Sequence, residues 1–332
     1  MKRATILLAA LMLTACGLPA GELPCSAAQG FCDPTAQVTD APVPTTIPDA
    51  EPTPVEETVI LAAAPGTPAP KLLPVPAEKR FPGRFSDEPM RDERSYKSST
   101  IDVTVKTCTV RDTYAKIASY HVADIYVKDV TSIRTAAAEG DFGMRYEKPV
   151  KDIAESVSAL LAIDGDTYTH VKKNLVIRNG VLYRDTPIEN TDLCVLYRDG
   201  RMETKAWGTF TAQEIIDADP WQVWGFGPAL LDENGHAMEI THKLAGHNPR
   251  AAIGYYEPGH YCFVIVDGRD HDWSEGMRLS ALSRLMEDLG CKAAYNLDGG
   301  DSAQMYWNGE IISKSRNESR VISDIIYLLP EP

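Results

Sequence analysis

Tyr295-Asn296-Leu297-Asp298-Gly299-Gly300-Asp301-Ser302 runs from a short apolar, strand-forming segment into a loop of acids and glycines. Upstream of it, Met277 to Leu289 has the apolar spacing of a helix and stops at Gly290. Before that helix, Tyr261-Cys262-Phe263-Val264-Ile265-Val266-Asp267-Gly268-Arg269 reads as a buried strand that ends in a polar tip. Strand, helix and strand of these lengths make a right-handed crossover between parallel neighbours. Both strands then finish at the same edge of the sheet, where open α/β sheets collect their ligands. That edge carries Asp267, Arg269, Asn296, Asp298 and Ser302, with glycines that let a substrate come close to the backbone. Asp-Gly and Gly-Gly are also ordinary turn dipeptides, and either loop alone would pass for a strand cap. Two of them at one edge, with carboxylates beside an arginine, point to a site.

Working outward, residues from about Thr100 to Leu329 are enough for one sizeable domain. Ile101 to Val105 and His121 to Val127 alternate apolar and polar residues like half-buried strands. Ile153 to Leu161 has helical spacing, after which Leu160-Leu161-Ala162-Ile163 enters Asp164-Gly165-Asp166. Short strands are expected at Leu175 to Ile177, Val181 to Tyr183 and Leu193 to Tyr197, with hairpin turns at Asn179-Gly180 and Asp199-Gly200. Thr211 to Ala218 reads as a short helix capped by Thr209 or Thr211. Early hairpins and a late βαβ crossover predict an α/β fold of the mixed α+β kind. A mixed sheet with packed helices would form a single domain over residues 96–332.

The first residues predict the destination. Lys2 and Arg3 precede an apolar run from Ala4 to Leu13, and Leu13-Thr14-Ala15-Cys16-Gly17 follows. A charged start, a short apolar core and small residues before a cleavage point make a secretory signal over 1–15. The run is too short for a permanent membrane helix. Cysteine directly after Leu-Thr-Ala has the form of a bacterial lipobox, with cleavage before Cys16 and lipid on its thiol, so the expectation is an extracytoplasmic, membrane-anchored lipoprotein. Residues 16–95 are rich in proline, alanine, threonine and glutamate and read as an extended tether.

A net charge of −14 argues against nucleic acid as a partner, because a phosphate backbone needs a basic face. A few converging arginines can still hold one phosphate. Of the seven cysteines, Cys25 and Cys32 are close enough to bridge a small loop, and Cys108 and Cys194 to pair across a sheet. Cys262 and Cys291 can bridge the crossover or stay as buried thiols. Their spacing is not that of a zinc site. Neither a His-Glu-x-x-His nor a Gly-x-Ser-x-Gly motif occurs, which leaves His247 and His271 as histidines near the suspected loops.

Four segments share one pattern: Ala162 to Asp166 followed by Val176 to Gly180; Trp224 to Leu230; Asn248 to Gly254; and Val266 to Arg269 through Ser274 to Met277 and on to Asn296 to Gly300. Arg320-Val321-Ile322-Ser323-Asp324 closes it. In these segments the chain resembles the phosphodiester glycosidase domain family, to which the enzyme that uncovers mannose 6-phosphate and bacterial exopolysaccharide-associated proteins belong. The resemblance covers about two-thirds of the chain and leaves out the signal and tether.

What the resemblance implies is hydrolysis of a sugar-1-phosphodiester between the anomeric carbon and the phosphate oxygen, with a sugar phosphodiester or polysaccharide as the partner and no required cofactor. The transition state places positive charge on the sugar and negative charge on the departing phosphate. Asp298 fits the sugar side as stabiliser, nucleophile or base, and Asp164, Asp166 and Glu275 are candidates for a second carboxylate. Arg250, Arg269 and Arg320 fit the phosphate. Asp267, Asn296, Gly299, Gly300 and Ser302 complete the expected substrate contacts. The chain departs from the family at Asp164, where asparagine is usual, at Thr167 and Tyr168, where aromatics follow, and at Asp301 and Ala303, where glycine and serine are expected. The acids Asp164, Asp166, Asp298 and Asp301 leave room for an oxygen-ligand cation such as Ca²⁺, with Asp166 and Asp301 as its ligands. A non-catalytic carbohydrate-binding lipoprotein and a metal-dependent phosphodiesterase are the alternatives.

Overall fold

The computed structural model describes residues 76–331 apart from 112–115, 143–145, 171–172, 188, 242–244 and 318. The signal sequence, the lipobox with Cys16, the Cys25 and Cys32 pair and the tether up to residue 75 lie outside the described residues. In chain order the strands that position the site are β1 (Ile101–Arg111), β2 (Ile117–Val127), β3 (Leu161–Asp164), β4 (Asn174–Arg178), β5 (Pro220–Trp224), β6 (Arg250–Glu257), β7 (His260–Val266), β8 (Ala293–Asn296), β9 (Met305–Trp307) and β10 (Asp324–Leu328). The helices are α1 (Val150–Ser156), α2 (Ala212–Asp217) and α3 (Leu279–Asp288), besides a single turn at Ala77–Arg80. None of the described helices is long and apolar enough to cross a membrane.

A seven-stranded sheet runs Met90–Arg91, Ser95–Lys97, β1, β2, β7, β6, β8. One five-stranded sheet runs Glu310–Ile311, β9, β3, β10, Arg134–Ala137, and a second runs Met202–Lys205, Leu193–Tyr197, β5, β4, Val181–Thr186. Every strand pairing among the described residues is antiparallel. Strand makes up 41% of the described residues and helix 14%, so the fold is mostly β rather than α/β.

The late crossover is therefore different from the one the sequence predicts. β7 and β8 do point the same way and end at one sheet edge, but they are not neighbours: β6 lies between them, antiparallel to both. The reason is local. Glu257 and His260 face each other across a tight turn, so β6 and β7 form a hairpin that takes the place beside β7. α3 then carries the chain past β6 to the next free position.

The continuous apolar run of β7 follows from both its faces being covered. Tyr261, Phe263 and Ile265 join Leu161, Ile163, Trp224, Met305 and Ile326 in the core that the seven-stranded sheet shares with the two smaller ones. Cys262, Val264 and Val266 face the other way, onto Leu282, Leu285, Met286 and Leu289 of the α3 segment.

Other expectations are refined in the same terms. The helical pattern begun at Ile153 belongs to α1, which starts earlier, after Pro149, and stops at Ser156; Ser158 takes φ +55 as the chain turns into β3. Thr211, not Thr209, caps α2, in a capping box with Glu214. Asn179 and Gly180, at φ +52 and +75, make the tight turn from β4 to Val181–Thr186. Part of the assigned tether is folded: Ala77–Arg80 is helical and Met90–Arg91 and Ser95–Lys97 extend the large sheet. Arg80 bonds Glu257 at 2.6 Å and Arg84 lies over the Tyr126 ring at 4.0 Å, which fastens this stretch to the body. Cys194 is buried and free, so it does not pair with Cys108, which is in a disulfide. Cys262 and Cys291 are buried thiols with sulfurs 3.7 Å apart.

Candidate active site

Strand ends from the three larger sheets meet at the edge where β7 and β8 finish. β8 ends at Asn296 and releases the loop Leu297 to Ser302. Because β6 runs antiparallel between β7 and β8, its first residue, Arg250, stands opposite Val266 at this same edge. β3 ends at Asp164 and β5 at Trp224, which leads into Gly225-Phe226-Gly227-Pro228 with a cis Gly227–Pro228 peptide. The loops touch backbone to backbone. Asp298 N–H donates to the Gly165 carbonyl at 3.2 Å and Gly300 N–H to the Pro249 carbonyl at 3.0 Å. At Gly268 a Cβ would come within 2.9 Å of Gly276 and Pro249 backbone atoms, which is why this contact requires glycine.

The loops enclose a cavity of 830 Å³. Arg250, Arg269, Asn248 and Gly300 lie on its wall, as do Asn190, Thr191, Asp192 and Phe226, with Asn296, Asp298 and Thr167. Asp298 and Thr167 also border a small adjoining recess lined by Asp164, Asp166, His170 and Arg320. The structure brings Asp298, Arg250 and Arg269 together on one cavity, whereas Arg320 lines the adjoining recess that Asp298 also borders.

Surroundings set the charge of each group. Burial raises the pKa of Asp298, against hydrogen bonds from the Ser302 hydroxyl and the Gly299 N–H and the positive charges of Arg320 and His170. Asp164 is fully buried and is pushed well above the usual carboxylate range, by burial first and then by the charge of Asp298. It accepts the Gln304 N–H at 3.3 Å, and its other oxygen has no hydrogen-bond partner among the described residues. Such an environment favours the protonated form of Asp164 more strongly than that of Asp298. Arg250 donates to the carbonyls of Met277 at 3.0 Å and Gly246 at 2.5 Å, and burial beside Arg269 lowers it to about 10, so it remains a cation at neutral pH. Arg269, at φ +63, bonds Asp301 at 3.0 Å and Asn248 at 3.3 Å. Asn296 donates to the Gly227 carbonyl at 2.8 Å while its side-chain oxygen is buried without a hydrogen-bond partner among the described residues. Arg320 donates to the Ser302 hydroxyl at 3.4 Å.

Behind the cavity, Arg178 at the end of β4 ties the sheets together. It bonds Asp166 at 2.7 Å, Asp324 at 3.0 Å and the Val223 carbonyl, all in full burial. Asp166 in turn accepts the N–H groups of Tyr168 at 3.1 Å and Gly225 at 2.9 Å. The side chain that the sequence offers as a second carboxylate or metal ligand is therefore consumed in holding two cavity loops together. Asp301, the other expected ligand, goes to Arg269 instead. Among the described residues no group of three or more His, Cys, Asp or Glu side chains converges to hold a metal ion.

Two further site expectations are corrected. Glu275 is absent from both linings; it bonds Lys116 at 2.6 Å, which lowers its pKa, and has His271 at 3.5 Å. Asp267 faces away from the cavity and is 1% exposed: it accepts from Trp273 at 2.7 Å and the Lys314 N–H at 2.9 Å and meets His121 at 3.2 Å. Its role is to shape the turn that presents Arg269. The linings also exclude His247 and His271.

The structure adds residues that sequence reasoning passes over. Asp192 is on the cavity wall and receives N–H groups from Ala229 at 3.1 Å and Trp207 at 3.0 Å, while its carbonyl takes the Tyr295 hydroxyl at 2.6 Å. Nothing around Asp192 in the sequence marks it. His170 has no motif either, although it borders the recess and bonds Glu147 at 2.8 Å. Asn248 and Phe226 do stand inside the shared segments and were legible as positions, though not as cavity wall.

A mostly β, antiparallel body here sets a carboxylate and guanidinium groups around one cavity, charges that suit an anionic substrate. The chain belongs to the phosphodiester glycosidase family, whose model matches residues 158–329. Among curated proteins, the SPbeta prophage-derived uncharacterized protein YomE of Bacillus subtilis (strain 168) is 28% identical over 180 residues, 52% of this chain. The chain spans only 28% of that relative's length. Among solved structures, the zebrafish N-acetylglucosamine-1-phosphodiester alpha-N-acetylglucosaminidase catalytic domain, auto-inhibited by its pro-peptide, aligns over 74% of this chain and 88% of its own, with TM-score 0.56 and 22% identity. A hypothetical protein from Synechocystis aligns over 69% and 62%, with TM-score 0.54 and 14% identity. These two likenesses establish the fold.

Proposed function

We propose that this protein is a glycosidase that cleaves sugar-1-phosphodiesters between the anomeric carbon and the phosphate oxygen. The observation that carries this reading is the placement of Asp298 on the same 830 Å³ cavity as Arg250 and Arg269. As the bond breaks, the sugar ring gains positive charge and the leaving phosphate negative charge. Asp298 supplies the anion for the ring, held in place by Ser302 and the Gly299 N–H. Arg250 and Arg269 supply fixed cations for the phosphate, and such preorganised charge lowers the barrier without reorganisation during the reaction. The wall of Asn190, Thr191, Asp192 and Phe226 offers polar groups and an aromatic face to sugar hydroxyls and ring. A phosphate leaves readily, so the chemistry does not depend on a strong general acid, and a protonated Asp164 serves by sparing Asp298 a second negative charge nearby.

With the lipobox at Cys16 and the tether behind it, the enzyme acts outside the cytoplasm from a lipid anchor, on sugar phosphodiesters of envelope or secreted polymers. Incubation with an N-acetylglucosamine-1-phosphodiester in oxygen-18 water tests the reading. Label in the sugar is the expected outcome. Label in the phosphate would make the protein a phosphodiesterase, and no release would make it a carbohydrate binder.

A further inference from the structure

We propose that the small recess beside Asp298 is the site of the attacking water, so that sugar-1-phosphodiesters are hydrolysed with inversion at the anomeric carbon. The inference rests on the glycosidase reading of the main cavity and adds to it where the water comes from.

The recess has the size and the chemistry for one water. Its volume is 10 Å³, about the space that a single water molecule needs. Asp164 lines it and is fully buried, and one of its carboxyl oxygens has no hydrogen-bond partner among the described residues. A buried oxygen in that state costs free energy that a bound water recovers. Asp298 lines the same recess and also the main cavity. The two acids are fixed relative to each other, because the Asp298 N–H donates at 3.2 Å to the carbonyl of Gly165, the residue after Asp164. Arg320, also on the recess wall, sets its positive charge against Asp298 and favours the carboxylate form that can take a proton. Asp166 borders the recess too, but Arg178 and the N–H groups of Tyr168 and Gly225 occupy its oxygens.

Water and leaving group are kept apart. Arg250 and Arg269, which take the phosphate in the glycosidase reading, line the main cavity and are absent from the recess lining. The two spaces meet at Asp298 and Thr167. A water coming from the space that the phosphate does not occupy reaches the anomeric carbon on the face away from the breaking bond. Asp298 takes one proton from that water, whose oxygen forms the new bond to the anomeric carbon. The bond from that carbon to the phosphate oxygen breaks, and its electron pair stays on the phosphate. The sugar keeps the second proton as its hydroxyl, and Asp298 returns the first to solvent. Asp164 anchors the water through its otherwise unpartnered oxygen.

The test gives the whole protein an α-linked N-acetylglucosamine-1-phosphodiester and follows the sugar by proton NMR, before its anomers equilibrate. The β anomer should form first. With methanol added, free sugar should remain the product, because the recess has no room for the extra methyl group. In Asp164→Leu, which keeps the bulk but offers no hydrogen bond, kcat should fall roughly a hundredfold with KM within about twofold of wild type. Asp164→Asn keeps an oxygen at that place and should recover most of the loss. An α anomer formed first, a methyl glycoside, or an unchanged kcat in Asp164→Leu overturns the proposal and leaves the glycosidase reading standing. If the leucine variant does not fold, the anomer and the methanol result decide alone. No sugar release by the wild type removes the glycosidase reading, and the water site falls with it.

Discussion

Asp298 and Asp164 show how far identical side chains diverge when their surroundings differ. Burial raises the pKa of both, but Asp298 has a hydroxyl, a backbone N–H and the Arg320 guanidinium to favour its charged form, whereas Asp164 has full burial and a neighbouring carboxylate to oppose it. Asp298→Asn keeps the shape and removes the charge, so sugar release should fall by about a thousandfold or more while the melting temperature stays near wild type. Steady-state rates with a sugar-1-phosphodiester check this; a rate within tenfold of wild type would remove Asp298 from the chemistry. For Asp164 the effect is on stability. A carboxyl whose pKa is raised by folding holds a proton that the unfolded chain has lost once the pH exceeds about 4. Its contribution is therefore fully present below that pH and declines as pH rises toward the folded value. Asp164→Asn should flatten that decline, so that urea unfolding at mildly acidic and neutral pH shows a smaller loss than wild type between the two. An unchanged slope would mean that Asp164 is ionised in the folded protein.

Single elements carry the next level of organisation. β4 delivers Arg178 into the space between β3, β5 and β10, where it links Asp166 and Asp324. Replacing it with methionine leaves two carboxylates buried without their cation and should cost about 3–5 kcal/mol in denaturant unfolding. It should also weaken activity, since Asp166 then loses the partner that aligns it with Gly225. β6 shows another constraint. Gly254 is mid-strand, where glycine is ordinarily unfavourable. A Cβ there would meet Cys262 Sγ at 2.6 Å, Met286 Cε at 2.6 Å and Cys291 Sγ at 2.7 Å. The glycine makes room for the helix side chains and the two thiols, so Gly254→Ala should destabilise by about 1–3 kcal/mol, measured by thermal or urea unfolding.

Across the whole molecule, the stretch before residue 98 belongs to the folded body and not only to the tether. Met90–Arg91 and Ser95–Lys97 cover the edge of β1, and Arg80 and Arg84 reach Glu257 and Tyr126. A chain beginning at residue 98 exposes the β1 edge and should melt several degrees below one beginning at residue 76. Equal melting temperatures for the two would show that these edge strands contribute nothing.

Local pattern alone placed much of this protein. Alternation marked β1 and β2, the continuous apolar run marked β7, Asn179-Gly180 marked its hairpin, and the double glycine after Asn296 marked the loop that carries Asp298, because strand faces, tight turns and close backbone contacts each demand particular residues nearby in the chain. Which strands became neighbours was a tertiary matter. The β6–β7 hairpin inserted β6 beside β7, and that insertion, invisible to periodicity, brought Arg250 to the edge where Asp298 stands. Side-chain partners were decided in the same way: Asp166 went to Arg178, Asp267 to Trp273 and His121, and Glu275 to Lys116, while unmarked Asp192 became cavity wall. A carboxylate reads the same in sequence whether it faces substrate or a buried cation, and only the packing of distant segments determines which it meets.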